Sequence, residues 1–102
     1  FTDENGAKPF PIGGVRVLAY PATHFAVADG SGDHAFVYLN LRLARGRSAA
    51  VLERAGQALT DAAKGHLQAL LDTRPLGLSL QIDEGDAVFD AKVGNLHALF
   101  RR

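Results

Sequence analysis

Cysteine is absent from these 102 residues. Its absence excludes a disulfide scaffold, a thiol nucleophile and a thiolate metal site, and it fits a reducing compartment. Net charge is absent too, because eleven Lys and Arg balance eleven Asp and Glu. Proteins that coat nucleic acid or lie on membrane surfaces carry a basic excess, so neither partner is expected. No apolar run approaches the ~20 residues of a membrane span. No charged-then-apolar leader opens the chain, so the expectation is a cytoplasmic protein. Repeats and low-complexity tracts are missing as well. What remains is 47% hydrophobic and 22% charged, the balance of a soluble globular chain. A mass of 10.8 kDa suffices for one domain, with a core that removes roughly 60–70% of the unfolded surface from water.

Residues 1–14 read as loop or linker. Thr2 to Lys8 are polar, and Pro9, Pro11, Gly13 and Gly14 punctuate the next six residues. Val15 to Tyr20 alternates, with Val15, Val17 and Ala19 opposite Arg16, Leu18 and Tyr20, which predicts a strand. It can run past Pro21 to Val27, since proline is tolerated at an edge or bulge. Asp29-Gly30-Ser31-Gly32-Asp33 is a turn signal. Ala35 to Leu43 is the clearest strand: Ala35, Val37, Leu39, Leu41 and Leu43 share one face, Phe36, Tyr38, Asn40 and Arg42 the other. The two strands together predict an antiparallel hairpin.

Ser48 is a candidate N-cap, and from Ala49 to Thr73 the period becomes helical. Leu52, Ala55, Leu59, Ala62, His66 and Leu70 form the predicted core stripe, widened by Val51, Ala63, Leu67 and Leu71. Gly56 and Gly65 each cost about 1 kcal/mol relative to Ala, and their missing side chains would let the helix lie close to a sheet. Pro75 disfavours helical geometry at Arg74 and stops the helix. Leu78, Leu80 and Ile82 predict a further strand. Strand, helix, strand is a βαβ unit, so these strands should be parallel with a right-handed crossover. Asp83 to Asp86 reads as a turn, and Val88 to Arg102 as an extended C-terminal arm or hairpin. The expected architecture is a single α+β domain over 1–102, with a strand-hairpin-helix-strand core from residue 15, a mixed sheet and one long helix.

One helix covers one sheet face. The other would carry Leu18, Tyr20, Phe36 and Tyr38, which is more apolar than a solvated face should be. A second helix or another subunit is expected to cover it. Of His24, His34, His66 and His97, none pairs at metal-ligand spacing, and His66 on the apolar stripe reads as a core residue, so no metal site is expected. Gly30-Ser31-Gly32 and Gly13-Gly14 lack the downstream glycine and helix of a dinucleotide loop. No elbow motif surrounds a serine. Arg16 follows Gly13-Gly14, while Arg45 and Arg47 stand where a strand ends and a helix begins. A helix N-terminus favours anions, and Arg47 there opposes the dipole unless an anion visits. Guanidinium groups suit carboxylates. Two readings stay open: surface arginines, which periodicity alone favours, and a pocket for a substrate with one or more carboxylates.

The run Phe10-Pro11-Ile12-Gly13-Gly14-Val15-Arg16, the run Ala28-Asp29-Gly30 followed by Asp33-His34-Ala35-Phe36-Val37, the junction Gly46-Arg47-Ser48 and the terminal Asn95-Leu96-His97-Ala98-Leu99-Phe100 stand in order along the chain. Together they resemble the 5-carboxymethyl-2-hydroxymuconate isomerase family of the tautomerase superfamily, which also holds 4-oxalocrotonate tautomerase. The resemblance implies a tautomerase-like βαβ sandwich of two pseudo-symmetric halves, assembled as a homotrimer. It implies cofactor-free keto–enol isomerisation of an unsaturated dicarboxylate in homoprotocatechuate degradation, a branch of aromatic catabolism. Arg16 and Arg47 match the family's substrate-binding arginines and are implied to hold carboxylates or polarise the oxo group. The family's base is an amino-terminal proline, whose amine is pushed toward working pH by burial and neighbouring cations. That proline matches nothing here: Phe1 heads the chain, and Pro9 and Pro11 are internal. The first strand and helix of the family are not matched either, and Thr2 to Lys8 departs from its shorter link. The alternative is a non-catalytic trimer of the same fold that binds a small organic acid.

The 102-residue chain assayed alone is expected to lack appreciable isomerase activity. A positioned general base supplies roughly 10²–10⁴-fold, and a misplaced catalytic group costs about 10²-fold. Ketonisation followed by absorbance checks this; rates near those of a full-length family enzyme would point instead to His24, His34 or His97 as the proton carrier.

Overall fold

The computed structural model describes residues 1–3, 5–86, 89 and 91–100. Two units are distinguished: Ala22–Gly85, and Phe1–Pro21 together with Asp86–Arg102. Ala22–Gly85 holds strand β1 (Ala35–Ala44), helix α1 (Ala49–Leu71) and strand β2 (Leu76–Gly85). The other unit holds a 3₁₀ turn at Ile12–Gly14 and the short helix α2 (Leu96–Phe100). No helix among the described residues is long and apolar enough to cross a membrane.

β1 and β2 pair in parallel, from Ala35 opposite Leu76 to Ala44 opposite Gly85. A βαβ unit is therefore present where the change of period from two to 3.6 and back predicts it. β2 is longer than the run Leu78–Ile82 suggests, because β1 offers backbone partners along its full length. Asp83 and Glu84 consequently lie in the strand opposite Arg42 and Leu43, not in a turn. Burial alternates along β1 as the sequence requires, with Ala35, Val37, Leu39, Leu41 and Leu43 half-buried and Phe36, Tyr38, Asn40 and Arg42 exposed. Arg74 ties the two strand starts together: its Nη2 donates to the Asp33 carbonyl at 3.1 Å, and the Ala35 N–H donates to the Pro75 carbonyl at 3.3 Å.

Among the described residues no strand forms between Val15 and Val27, so the expected antiparallel hairpin is absent and the two strands seen are both parallel. Val15 is extended, with φ −81° and ψ 130°, but Val17 is 87% and Leu18 75% exposed. Alternation reports an extended backbone with two unlike faces. Whether a neighbouring strand supplies the ladder is a long-range matter that alternation does not carry. At the C-terminus, Leu96–Phe100 is a helical turn and not an extended arm. Ala87, Val88, Asp90, Arg101 and Arg102 lie outside the described residues.

α1 packs on β2 with a face shifted from the predicted stripe. Val51, Leu52, Thr60, Ala63, Leu67 and Leu71 are half-buried and Ala55 and Gly56 buried, whereas Leu59, Ala62, His66 and Leu70 are exposed. His66 is thus not a core residue. The cause is Gly56, where a Cβ would lie 3.1 Å from Ile82 Cδ1. The closest approach of helix to sheet is centred on a residue with no side chain, which gives no hydrophobic signal to read. Gly65, by contrast, meets nothing within 4 Å and brings no close approach.

The helix begins at Ser48, whose Oγ accepts the Val51 N–H at 3.2 Å while its carbonyl accepts the Leu52 N–H. Its last residue is Leu71, two before the predicted limit of Thr73, with Asp72 as C-cap, and Thr73 and Arg74 turn back onto the Leu70 carbonyl ahead of Pro75. Ser48→Ala is expected to lower stability by about 1 kcal/mol, read as a lower urea midpoint at unchanged slope, with Ser48→Asp retaining most of it.

Candidate active site

Parallel strands place both carboxyl ends on one edge, and in open α/β sheets that edge is where ligands bind. The sequence between β1 and α1 brings Arg47 there. Gly46 has φ +131° with open space where a Cβ would stand, so the requirement for glycine is conformational and not steric. This sharp turn puts Arg47 directly before the N-cap. Its side chain is half-buried, and Nη1 donates to the Ala44 carbonyl at 3.3 Å, folding the guanidinium back over the strand end. A cation at this position opposes the helix dipole, and an anionic ligand would relieve the opposition.

Arg16 belongs to the other unit. It follows the 3₁₀ turn, and its Nη1 donates to the Gly13 carbonyl at 3.1 Å. Each arginine therefore directs one donor at a carbonyl three residues before it, which orients the planar fork that suits carboxylates. Gly13 is buried against α2, where His97 lies beside it.

A polar ladder on the open face of the β1–β2 pair is not evident in the periodicity. Tyr38 Oη donates to Gln81 Oε1 at 2.7 Å, and Gln81 Nε2 donates to Asp83 Oδ1 at 3.0 Å. Asn40 Nδ2 donates to Asp83 Oδ2 at 2.8 Å. These four side chains sit on alternate residues of the two strands, in register as Tyr38 opposite Ser79, Asn40 opposite Gln81 and Arg42 opposite Asp83. The signal that would reveal them is the register, which is fixed only once β2 is known to run through Asp83. The ladder ends toward the carboxyl edge with both oxygens of Asp83 held by amides.

The turn ahead of β1 is built by Asp29 and His34. Asp29 Oδ1 accepts from the Ser31 hydroxyl at 2.6 Å and the Ser31 N–H at 3.0 Å. Those bonds, the hydroxyl first, stabilise the carboxylate and hold its pKa below the ordinary value. Ala28 adopts φ +56°, an uncommon conformation for alanine that the adjoining Asx turn holds in place. His34 packs beneath Gly32, where φ is +75° and a Cβ would lie 2.8 Å from Nε2. Its Nδ1 is buried without a hydrogen-bond partner among the described residues. No group of three His, Asp or Glu able to hold a metal ion occurs among the described residues.

The parallel βαβ unit, with its glycine-arginine-serine junction at the carboxyl edge, is the α+β arrangement shared with solved isomerases of the tautomerase-like fold. The chain belongs to the 5-carboxymethyl-2-hydroxymuconate isomerase family, whose model matches residues 3–100. It is 36% identical over 92 residues to 5-carboxymethyl-2-hydroxymuconate Delta-isomerase of Escherichia coli, covering 90% of this chain and 73% of that protein. The crystal structure of a 5-carboxymethyl-2-hydroxymuconate delta-isomerase superposes with a TM-score of 0.88 at 53% identity, covering 99% of this chain and 73% of that one. The crystal structure of a 5-carboxymethyl-2-hydroxymuconate isomerase from Deinococcus radiodurans R1 does so with 0.85 at 37% identity, covering 91% and 70%.

Because the Asp29 pKa is lowered, the turn's contribution is present above the ordinary carboxylate range and lost as pH falls through the lowered value. Ser31→Ala should move the Asp29 titration midpoint, followed by carboxyl carbon NMR, upward toward that of an unperturbed aspartate; an unmoved midpoint would remove Ser31 as the cause.

Proposed function

We propose that this chain forms the carboxylate-binding part of a cofactor-free keto–enol isomerase. Its substrate class is an unsaturated dicarboxylate such as 5-carboxymethyl-2-hydroxymuconate, within the breakdown of aromatic compounds in the cytoplasm. The observation that carries the proposal is Arg47, oriented by the Ala44 carbonyl at the point where β1 gives way to the α1 N-cap, in a chain matched to this family over residues 3–100.

Isomerisation of a 2-hydroxydienoate takes a proton from the enol oxygen and delivers one to carbon, with no net gain or loss of atoms. Negative charge moves over the oxygen and the conjugated carbons as the proton travels. A guanidinium at the oxo oxygen or its adjacent carboxylate stabilises that charge, and one at the far carboxylate fixes the chain of carbons. Arg16 and Arg47 are each assigned to hold a carboxylate or polarise the oxo group by a charge-assisted fork. The proton carrier is assigned to the family's amino-terminal proline.

A homotrimer is the proposed assembly. Ala55, 3% exposed, is the only buried apolar side chain among the described residues, while Phe36 and Tyr38 stay half-exposed on the open sheet face. A core this thin is completed by a partner surface. Sedimentation is expected to give a trimer at micromolar concentration, and a stable monomer of the full-length protein would overturn that assembly.

Arg47→Ala in the full-length protein should reduce kcat/KM for dicarboxylates by about 10- to 150-fold, the loss of one charge-assisted contact. Monocarboxylate turnover should fall much less. Equal losses for both substrate classes would make Arg47 a structural arginine and overturn its assignment.

A further inference from the structure

We propose that His97 is a positioning residue for Arg16, acting through the carbonyl of Gly13. The proposal rests on the reading of Arg16 as a carboxylate-binding group and adds to it the device that holds that group in place.

The 3₁₀ turn is closed by Gly14 N–H to the Pro11 carbonyl at 2.9 Å and Val15 N–H to the Ile12 carbonyl at 3.2 Å. Both bonds leave the Gly13 carbonyl for the Arg16 Nη1, which it receives at 3.1 Å. Where that carbonyl points depends on what lies against the turn, and that is α2. A Cβ on Gly13 would stand 2.7 Å from His97 Cα and 3.0 Å from His97 N. These backbone atoms of a helix cannot swing aside, so Gly13 is glycine because two main chains touch there, and the His97 ring Nδ1, 3.1 Å from the same Cβ position, adds the contact that only the imidazole supplies. The imidazole continues the same contact along the next residue: a Cβ on Gly14 would stand 3.1 Å from His97 Cε1 and 3.5 Å from Nε2.

Main chain and ring of His97 thus lie along two consecutive glycines, one of which orients the arginine. Arg16 is otherwise a side chain with four rotatable bonds on an exposed segment outside any strand. A long side chain of that kind loses substantial rotamer freedom when it binds. Holding one nitrogen in advance reduces the entropy lost when a carboxylate arrives, and that gain is in ground-state binding. The signature is a raised KM with an unchanged kcat when the support is removed.

The test is a double-mutant cycle in the full-length protein, with a dicarboxylate as substrate. His97→Ala should raise KM about 3- to 10-fold, the range of one ordinary hydrogen bond, and leave kcat within about twofold. In an Arg16→Ala background the same change should leave KM where Arg16→Ala alone puts it. A melting curve by circular dichroism accompanies each variant, and His97→Asn, which retains more of the side chain, replaces His97→Ala in the cycle if that variant does not fold. An equal KM effect in both backgrounds, or a fall in melting temperature or kcat with KM unchanged, would overturn the positioning role. An Arg16→Ala variant with wild-type KM would instead remove Arg16 from substrate binding, a distinct result that takes the functional reading of that residue with it.

Discussion

The parallel register of β1 and β2 is the constraint on which the rest of Ala22–Gly85 depends. Ten residues of one strand pair with ten of the other in the same direction. A chain can meet that requirement only by returning from the carboxyl end of the first strand to the amino end of the second. α1 is that return, and its 23 residues span roughly 35 Å at 1.5 Å each. That is about the length of a ten-residue strand at ~3.3 Å per residue. The match lets the helix lie along β2 for most of its course. It also places the start of the helix beside the end of β1, which is why the loop that carries Arg47 is short and needs a glycine.

Close packing of that helix is achieved by subtraction. Gly56 removes a side chain at the point of nearest approach to Ile82 and Leu80. The neighbouring Ala55 becomes the one buried apolar side chain among the described residues. The helix-propensity loss of about 1 kcal/mol at Gly56 is offset by contact between Ile82, Leu80 and the bare helix backbone. A glycine at such a position is a packing device, while Gly46 and Gly32 are needed for their positive φ.

Local polar bonds do a different job, orienting side chains where packing is sparse. Arg47 and Arg16 each donate to a carbonyl three residues earlier, and Asp29 accepts twice from Ser31. Such contacts add little stability when exposed. Their effect is to narrow the rotamers that these side chains can take. The Tyr38–Gln81–Asp83–Asn40 ladder performs the same service across two strands, holding Asp83 to neutral amide donors near the carboxyl edge.

Much of this was legible in the residues alone. β1, α1 with its Ser48 cap, β2 and their parallel order come from period, capping chemistry and Pro75, because those signals are local and strong. The family comes from four short runs in order, and its model matches residues 3–100. The phase of the helix was not legible, since Gly56 is invisible to a hydrophobic pattern yet centres the buried face. The hairpin from Val15 was misread, because alternation describes a strand's faces and not its partner. α2 was missed at five residues, too short for a period to show. The contact of His97 with Gly13 joins residues 84 positions apart. Only tertiary structure decides such a pairing, because glycine carries no side chain to announce what it must lie against.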